Sequence, residues 1–237
     1  MAKDVYGKAL RAYFDGDHKA ELTVKSDVAE TDYWPLSEFF HSWDEMGGIE
    51  RRALTLACGR TLDAGAGSGG HSLWLQGNGI DVDALDISPE AANIMRERGV
   101  SNVIEGDFFS FEAQGRYDTL LFLMNGVGLA GSVDGLDGFL SRCKSLLAPG
   151  GQILMDSSNL IYLYENEDGS YSLPLGGRYY GELTYTYEFR GLQSDPFDWV
   201  FVDPETLEDA ARRHGLKMEI VSEGEHYDYL ARLVVNE

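Results

Sequence analysis

Apolar residues recur at helical spacing over Lys3 to Phe14 and again over Pro35 to Ala57, which predicts an N-terminal helical segment. From Arg60 the pattern changes to alternation of element types. Arg60 to Asp63 leads into a glycine turn and a helix through Gln76. Asp81 to Asp86 is a short apolar strand, and Ser88-Pro89-Glu90 opens the next helix with an N-cap and a proline at N1. Asn102 to Glu105 and Tyr117 to Met124 read as the third and fourth strands. Ser132 to Leu147 is helical and stops at Ala148-Pro149-Gly150-Gly151, and Gln152 to Asp156 is a fifth strand. Strands alternating with helices predict an α/β fold, a parallel sheet covered on both faces. Tyr179 to Phe189 then alternates strictly, with Leu183, Tyr185, Tyr187 and Phe189 on one face. It predicts a half-buried antiparallel strand paired with Asp198 to Val202 across a turn holding Asp195-Pro196. Pro204 to His214 is a helix ended by Gly215, and Lys217 to Ser222 and Tyr229 to Val235 close the chain as strands.

Composition narrows this only a little. The 237 residues, 43% hydrophobic and 25% charged, suit one soluble globular domain, and no repeat or low-complexity tract divides them. The start MAKDVYGKAL lacks the apolar run of a signal peptide, and Leu120 to Met124 is too short to cross a bilayer. Cys58 and Cys143 have no ligand spacing, so reduced thiols in a cytoplasmic protein are expected. The charge is more informative. Nineteen basic against forty acidic residues give −21, which argues against nucleic acid and anionic membranes as partners. The acid excess serves solubility or attracts a cationic substrate.

The candidate chemistry centres on Leu62 to Gly70, LDAGAGSGG. Ala66 to Gly70 reads loosely as A-x-S-x-G, a nucleophilic-serine turn. That reading needs a downstream acid and histidine, for which His214 and His226 are the candidates. His214, however, ends a helix in a charged run, and no oxyanion segment of H-G-G type is present. Gly65, Gly67 and Gly70 also spell G-x-G-x-x-G, and Asp86 lies 21 residues after Gly65, as a dinucleotide site requires. Against a pyrophosphate stands Asp63, a carboxylate at the strand tip two residues before the glycine. A cationic ligand removes that conflict. S-adenosylmethionine offers an ammonium to Asp63, a carboxylate to the turn amides and ribose hydroxyls to Asp86. Asp107, a further 21 residues on, suits the adenine amino group, with Phe108 beside the ring.

Taken in order, D-x-G-x-G-x-G (Asp63 to Gly69), A-L-D-I-S (Ala84 to Ser88), E-G-D-F (Glu105 to Phe108), Y-D-T-L-L-F (Tyr117 to Phe122) and L-L-A-P-G-G (Leu146 to Gly151) resemble the class I S-adenosylmethionine-dependent methyltransferases. The resemblance runs from about Gly59 to the C-terminus. It implies a doubly wound sheet of seven strands in order 3-2-1-4-5-7-6, the last antiparallel, with N-terminal helices and a β-hairpin insertion between strands 5 and 6. It also implies that Asp63, Ala64, Gly65 and Gly67 meet the methionine part, Asp86 the ribose, and Asp107 with Phe108 the adenine. Ile87 would pack on an adenine face, and Asn125 would lie beside the sulfonium.

Candidates for handling the acceptor follow strands four and five: Asn125 in MNGVG, and Asp156, Ser157 and Asn159 in MDSSN, where a cap-rich turn is an equal reading for Asp156-Ser157-Ser158. No metal is expected. Tyr33 or Trp34 is expected near the cofactor, and Tyr162, Tyr164, Tyr179 and Tyr180 in the insertion are expected to cap a small acceptor, unless the hairpin forms a dimer edge. The expected organisation is one domain: residues 1–58 a helical lid, 59–158 a cofactor-binding core, 159–202 an insertion and 203–237 a closing helix and strands. The function so read is methyl transfer from S-adenosylmethionine to a small molecule by a monomer or homodimer. An NAD(P)-dependent oxidoreductase and a non-catalytic cofactor-binding protein that kept the fold are the alternatives.

Overall fold

Asp4 caps helix α1 (Val5–Phe14), its carboxylate accepting from the Gly7 amide at 2.8 Å, and α1 buries Val5, Ala9 and Leu10. The computed structural model describes residues 4–166, 168–173, 177–225 and 227–236. After α1 come two short strands, β1 (Glu21–Ser26) and β2 (Asp32–Pro35), then helix α2 (Gly48–Leu56). Strand β3 (Thr61–Ala64) is wholly buried and feeds helix α3 (Gly70–Gly77). Strand β4 (Val82–Asp86), also wholly buried, leads to helix α4 (Pro89–Arg98). The Ser88 side chain caps α4 on the Ala91 amide, and Gly99 ends it at φ 94°. Strands β5 (Asn102–Glu105) and β6 (Tyr117–Phe122), helix α5 (Gly135–Leu146) and strand β7 (Leu147–Ser158) follow. The insertion supplies β8 (Glu182–Phe189), β9 (Leu192–Gln193) and β10 (Phe197–Val200). Helix α6 (Pro204–Arg213), β11 (Leu216–Glu223) and β12 (Asp228–Val235) complete the chain.

Seven strands form the main sheet in the order β11-β12-β7-β6-β3-β4-β5. The pairs among β3 to β7 are parallel, and β12 runs antiparallel to both β7 and β11. Numbered along the chain from β3, this is the expected 3-2-1-4-5-7-6. The order reverses between β3 and β6, so their carboxyl ends open a crevice, the place where sheets of this kind bind ligands.

A second sheet, ordered β10-β8-β1-β2 with β9 on β8, stands over that crevice. The β8–β10 hairpin pairs Tyr185 with Phe197, in line with the alternation read in the sequence. The partnership of β8 with β1, Val24 opposite Tyr187, lies outside the sequence reading. The N-terminal region is therefore mixed helix and strand rather than helical throughout. Strand β1 buries only Leu22 and Val24, too short an alternation to register as a strand, and its partner is more than 160 residues away. An apolar cluster of Val5, Leu10, Leu22, Val24, Ile94 and Phe189 fastens α1 and this sheet to α4. Each fully buried aliphatic side chain there contributes about 1.5–3 kcal/mol. Arg11 adds ion pairs to Glu90 (3.1 Å) and Glu97 (2.8 Å) at the solvent edge.

Candidate functional site

Between the two sheets lies a cavity of about 760 Å³. Its floor is the glycine turn. Gly65, Gly67 and Gly69 all take left-handed φ (79°, 55° and 83°), which residues with a Cβ adopt only at a cost. A Cβ on Gly67 would stand 3.0 Å from the Tyr6 hydroxyl, and one on Gly69 2.9 Å from Met95. The Gly65 and Ala66 amides donate to the Leu85 carbonyl at 2.9 and 3.0 Å, tying the turn to β4.

Three carboxylates ring this turn. Asp63, only 2% exposed, accepts from the Ser72 hydroxyl at 2.6 Å. Burial raises its pKa, opposed by the nearby His71 charge and the Ser72 bonds. Asp86 accepts from the Gly67 and Ser88 amides, both at 2.8 Å. Burial pushes its pKa up to about 6 against those two bonds, with the charges of Asp4 and Asp63 adding to the rise. Asp107 is exposed, and its Oδ1 accepts from the Phe109 amide at 2.8 Å. Ala64 lines the cavity beside them, and Ile87 presents a side chain that is 70% exposed, an open apolar face. Phe108 reaches the cavity wall but is a core residue, 4% exposed and edge-to-face with Phe122 at 5.1 Å.

Asn125 lines the cavity in a left-handed conformation (φ 59°, ψ 38°), and its Oδ1 accepts from the Ser158 hydroxyl at 3.0 Å. Asp156 does not line the cavity. It sits behind the Asn125 turn, where its carboxylate accepts from the Asn125 amide at 2.9 Å and from the Gly126 amide. Burial pushes its pKa up to about 7, opposed by those amide bonds. The arrangement makes Asp156 the support of a turn in which Met124 and Asn125 hold left-handed φ.

Tyr33 is also outside the cavity, 59% exposed, while its neighbour Trp34 lines it. Successive strand residues point to opposite faces, so only one of the two faces the site. Nor do Tyr162, Tyr164, Tyr179 and Tyr180 line the cavity. The Tyr179 and Tyr180 hydroxyls turn to Asp203, and Tyr164 donates to the Tyr180 carbonyl. The roof is instead Trp34 with Tyr185, Tyr187, Phe197, Trp199 and Phe201. The alternation in Tyr179 to Phe189 held that signal, since it puts Tyr185 and Tyr187 on one face.

Tyr6, Glu50 and His71 are among the lining residues that sequence reasoning missed. Glu50 caps α2 by accepting from the Gly47 amide at 2.8 Å, and it meets His71 Nε2 at 2.9 Å. Burial works against the His71 imidazolium. The Glu50 hydrogen bond and the charges of Asp63, Glu50 and Asp156 outweigh it and raise the pKa. Burial likewise opposes the Glu50 carboxylate, which His71 and Gly47 nonetheless hold below its ordinary range. Among the described residues no Lys or Arg lines the cavity, and His71 is held towards its cationic form.

The serine turn assembles no hydrolase. The Ser68 hydroxyl donates to the Phe39 carbonyl and accepts from Arg98 at 2.6 Å. His214 lies outside the cavity beside Asp137 (3.1 Å) and Ser141 (3.3 Å), and His226 falls outside the described residues. Among the described residues no group of three or more His, Cys, Asp or Glu is placed to hold a metal ion, and no helix is long and apolar enough to cross a membrane.

A methyltransferase-domain model matches residues 61–151. An S-adenosylmethionine-dependent methyltransferase from Bacteroides fragilis, solved in complex with S-adenosyl-L-homocysteine, is 41% identical. It superposes at a TM-score of 0.92 over 99% of this chain and 96% of that chain. The CcbJ methyltransferase of Streptomyces caelestis, 17% identical with a TM-score of 0.62 over 84% of this chain and 98% of that one, shares the fold alone. A ubiquinone biosynthesis O-methyltransferase from Burkholderia cenocepacia is 29% identical over 152 residues, 59% of this chain and 62% of its own length. One from Xanthomonas euvesicatoria is 27% identical over 113 residues, 45% of this chain and 46% of its own length. The chain thus spans between 46% and 62% of the length of these curated relatives. Identity of 41% across nearly the whole of both chains, on a fold with this strand order and glycine turn, makes the chain a member of the S-adenosylmethionine-dependent methyltransferases.

Proposed function

We propose that this protein transfers the methyl group of S-adenosylmethionine to a small-molecule acceptor bound in the same cavity. The observation that carries the reading is the register of Asp63, Asp86 and Asp107 around a turn whose glycines at 65, 67 and 69 all hold left-handed φ. Asp63 takes the ammonium of the methionine part, and His71 with the turn amides takes its carboxylate. An α-amino acid needs one anion and one cation side by side, and Asp63 and His71 supply that pair. Asp86, pinned by two amides, keeps lone pairs for the ribose hydroxyls. Asp107 and Ile87 suit the edge and the face of adenine.

Bound there, the sulfonium supplies a methyl group already activated for attack. The chain's part is to align the acceptor with that bond and keep water away, worth several kcal/mol by orientation alone. Asn125, held by Asp156 and Ser158, lines the passage between the two ligands. Among the described residues the cavity has eight carboxylates and no Lys or Arg, which disfavours a nicotinamide dinucleotide, whose pyrophosphate the carboxylates would repel. Cys58 and Cys143, both free thiols, suit work in the cytoplasm. The test is transfer of tritium from methyl-labelled S-adenosylmethionine across a panel of amines, phenols, thiols and carboxylic acids. Label in a product above the no-enzyme control supports the reading. Binding of S-adenosylhomocysteine without transfer to any class points to the non-catalytic alternative.

A further inference from the structure

The acceptor's chemical class follows from what the cofactor leaves over, and so rests on the reading just given. Among the described residues eight carboxylates line the cavity. Asp63, Asp86 and Asp107 serve the cofactor in that reading. Asp4 is taken by the Ser88 hydroxyl (2.8 Å) and the Glu90 amide (3.2 Å). Glu50 is taken by His71, and Glu38 lies 3.5 Å from His41. Asp198 accepts from the Thr184 hydroxyl at 2.9 Å. Asp195 alone makes no hydrogen bond or ion pair with any described residue. It sits in the turn between β9 and β10, at the mouth of the cavity.

The aromatic roof beside it is a second, independent observation. Phe197 packs edge-to-face on Tyr187 at 4.9 Å, and Trp34 meets Tyr185 and Tyr187 at 6.2 and 6.1 Å. Aromatic faces are negative and attract organic cations. Among the described residues five aromatic rings carry an arginine of the chain, and none belongs to this roof. Rings without a cation, an unpaired carboxylate at their edge and a cavity with no Lys or Arg among its described residues all select the same ligand charge.

We propose that the acceptor is an organic amine, drawn in as its ammonium form against Trp34, Tyr185, Tyr187 and Phe197 with Asp195 at the mouth, and methylated on nitrogen. The ammonium first gives its proton to water at the open mouth. The freed nitrogen lone pair forms the new bond to the methyl carbon, and the electron pair of the broken carbon–sulfur bond stays on sulfur. Sulfur loses its positive charge and nitrogen gains one, so the product is again a cation. The step accelerates as pH rises towards the pKa of the amine.

The experiment is calorimetric titration of the protein saturated with S-adenosylhomocysteine. Failure to saturate would remove the proposed function itself, a different outcome from failure of this inference. The probes are benzyltrimethylammonium, neutral benzyl alcohol and anionic phenylacetate. The ammonium is expected to bind at least about tenfold more tightly than either other probe. Asp195→Asn, a change at an exposed residue, is expected to weaken it about three- to tenfold while S-adenosylhomocysteine affinity moves less than about twofold. In the tritium assay the label is expected in amines. Equal or tighter binding of the alcohol or acid, no ammonium binding up to about 10 mM, indifference to Asp195→Asn, or label in phenols or carboxylic acids alone would overturn the proposal.

Discussion

On the floor of the cavity the polar groups are committed within the chain: Asp86 to the Gly67 and Ser88 amides, Asp63 to Ser72, and Asp156 behind the floor to the Asn125 turn. On the roof the wall is aromatic, and of its two carboxylates Asp198 accepts from Thr184 while Asp195 has no partner among the described residues. The contrast separates two tasks. A floor held by its own hydrogen bonds is preorganised for one ligand, at no cost of reorganisation when that ligand arrives. A roof of rings fixes charge and apolar character and leaves shape to the acceptor.

The largest expected effect comes from closing the gap between them. Gly67→Val puts a branched side chain at φ 55° with its Cβ 3.0 Å from the Tyr6 hydroxyl of α1. Affinity for S-adenosylhomocysteine should fall by at least about a hundredfold, roughly 2.7 kcal/mol, in calorimetry. An unchanged affinity would mean that floor and roof do not meet over the cofactor. A smaller effect is expected at the floor's charged pair. Glu50 is held below its ordinary pKa, so its share of the pair's stability is lost as pH falls through that lowered value. His71 is held above its ordinary pKa. Its share is complete below about pH 6.5, the unfolded value, and fades as pH rises through the raised folded one. Glu50→Gln should therefore lower unfolding free energy by about 1–2 kcal/mol near pH 6, with the difference shrinking by pH 9 in urea titrations. A difference that grows with pH would contradict the assignment. Smallest is Ser68→Ala, which removes a tie between the floor and the Phe39 carbonyl. It should cost about 1 kcal/mol of stability and leave methyl transfer within about threefold. Abolished turnover would return the serine to consideration as a nucleophile.

The same contrast explains how much the sequence disclosed. The floor is written locally: each carboxylate lies within two residues of the carboxyl end of a strand, and the next turn or helix begins within a few residues. The spacing of Asp63, Asp86 and Asp107 could thus be read from the sequence alone, and the strand order followed from the family resemblance that the five motifs carry. The roof depends on pairing across the chain. Lys25 meets Glu188 at 2.7 Å, 163 residues apart, and no local pattern announces that contact. Which of Tyr33 and Trp34 faces inward is decided by the β1–β2 register, Thr23 opposite Tyr33 and Leu22 opposite Trp34, with Leu22 buried. Asp156 looked like a candidate to meet the acceptor because it leaves a strand at the ligand end. Only its two amide partners reveal it as the support of the Asn125 turn. Tyr6 was hidden in the helical periodicity of α1, and His71 among the first residues of α3.

The most direct test of the floor as the site of S-adenosylmethionine is titration of S-adenosylhomocysteine into the wild-type protein and Asp86→Ala, with NADH in parallel. The expected result is one site per chain with a dissociation constant of about 10 µM or tighter for the wild type, at least about thirtyfold weaker binding to Asp86→Ala, and no heat from NADH. Binding of NADH, or an S-adenosylhomocysteine affinity that survives Asp86→Ala unchanged, would contradict it.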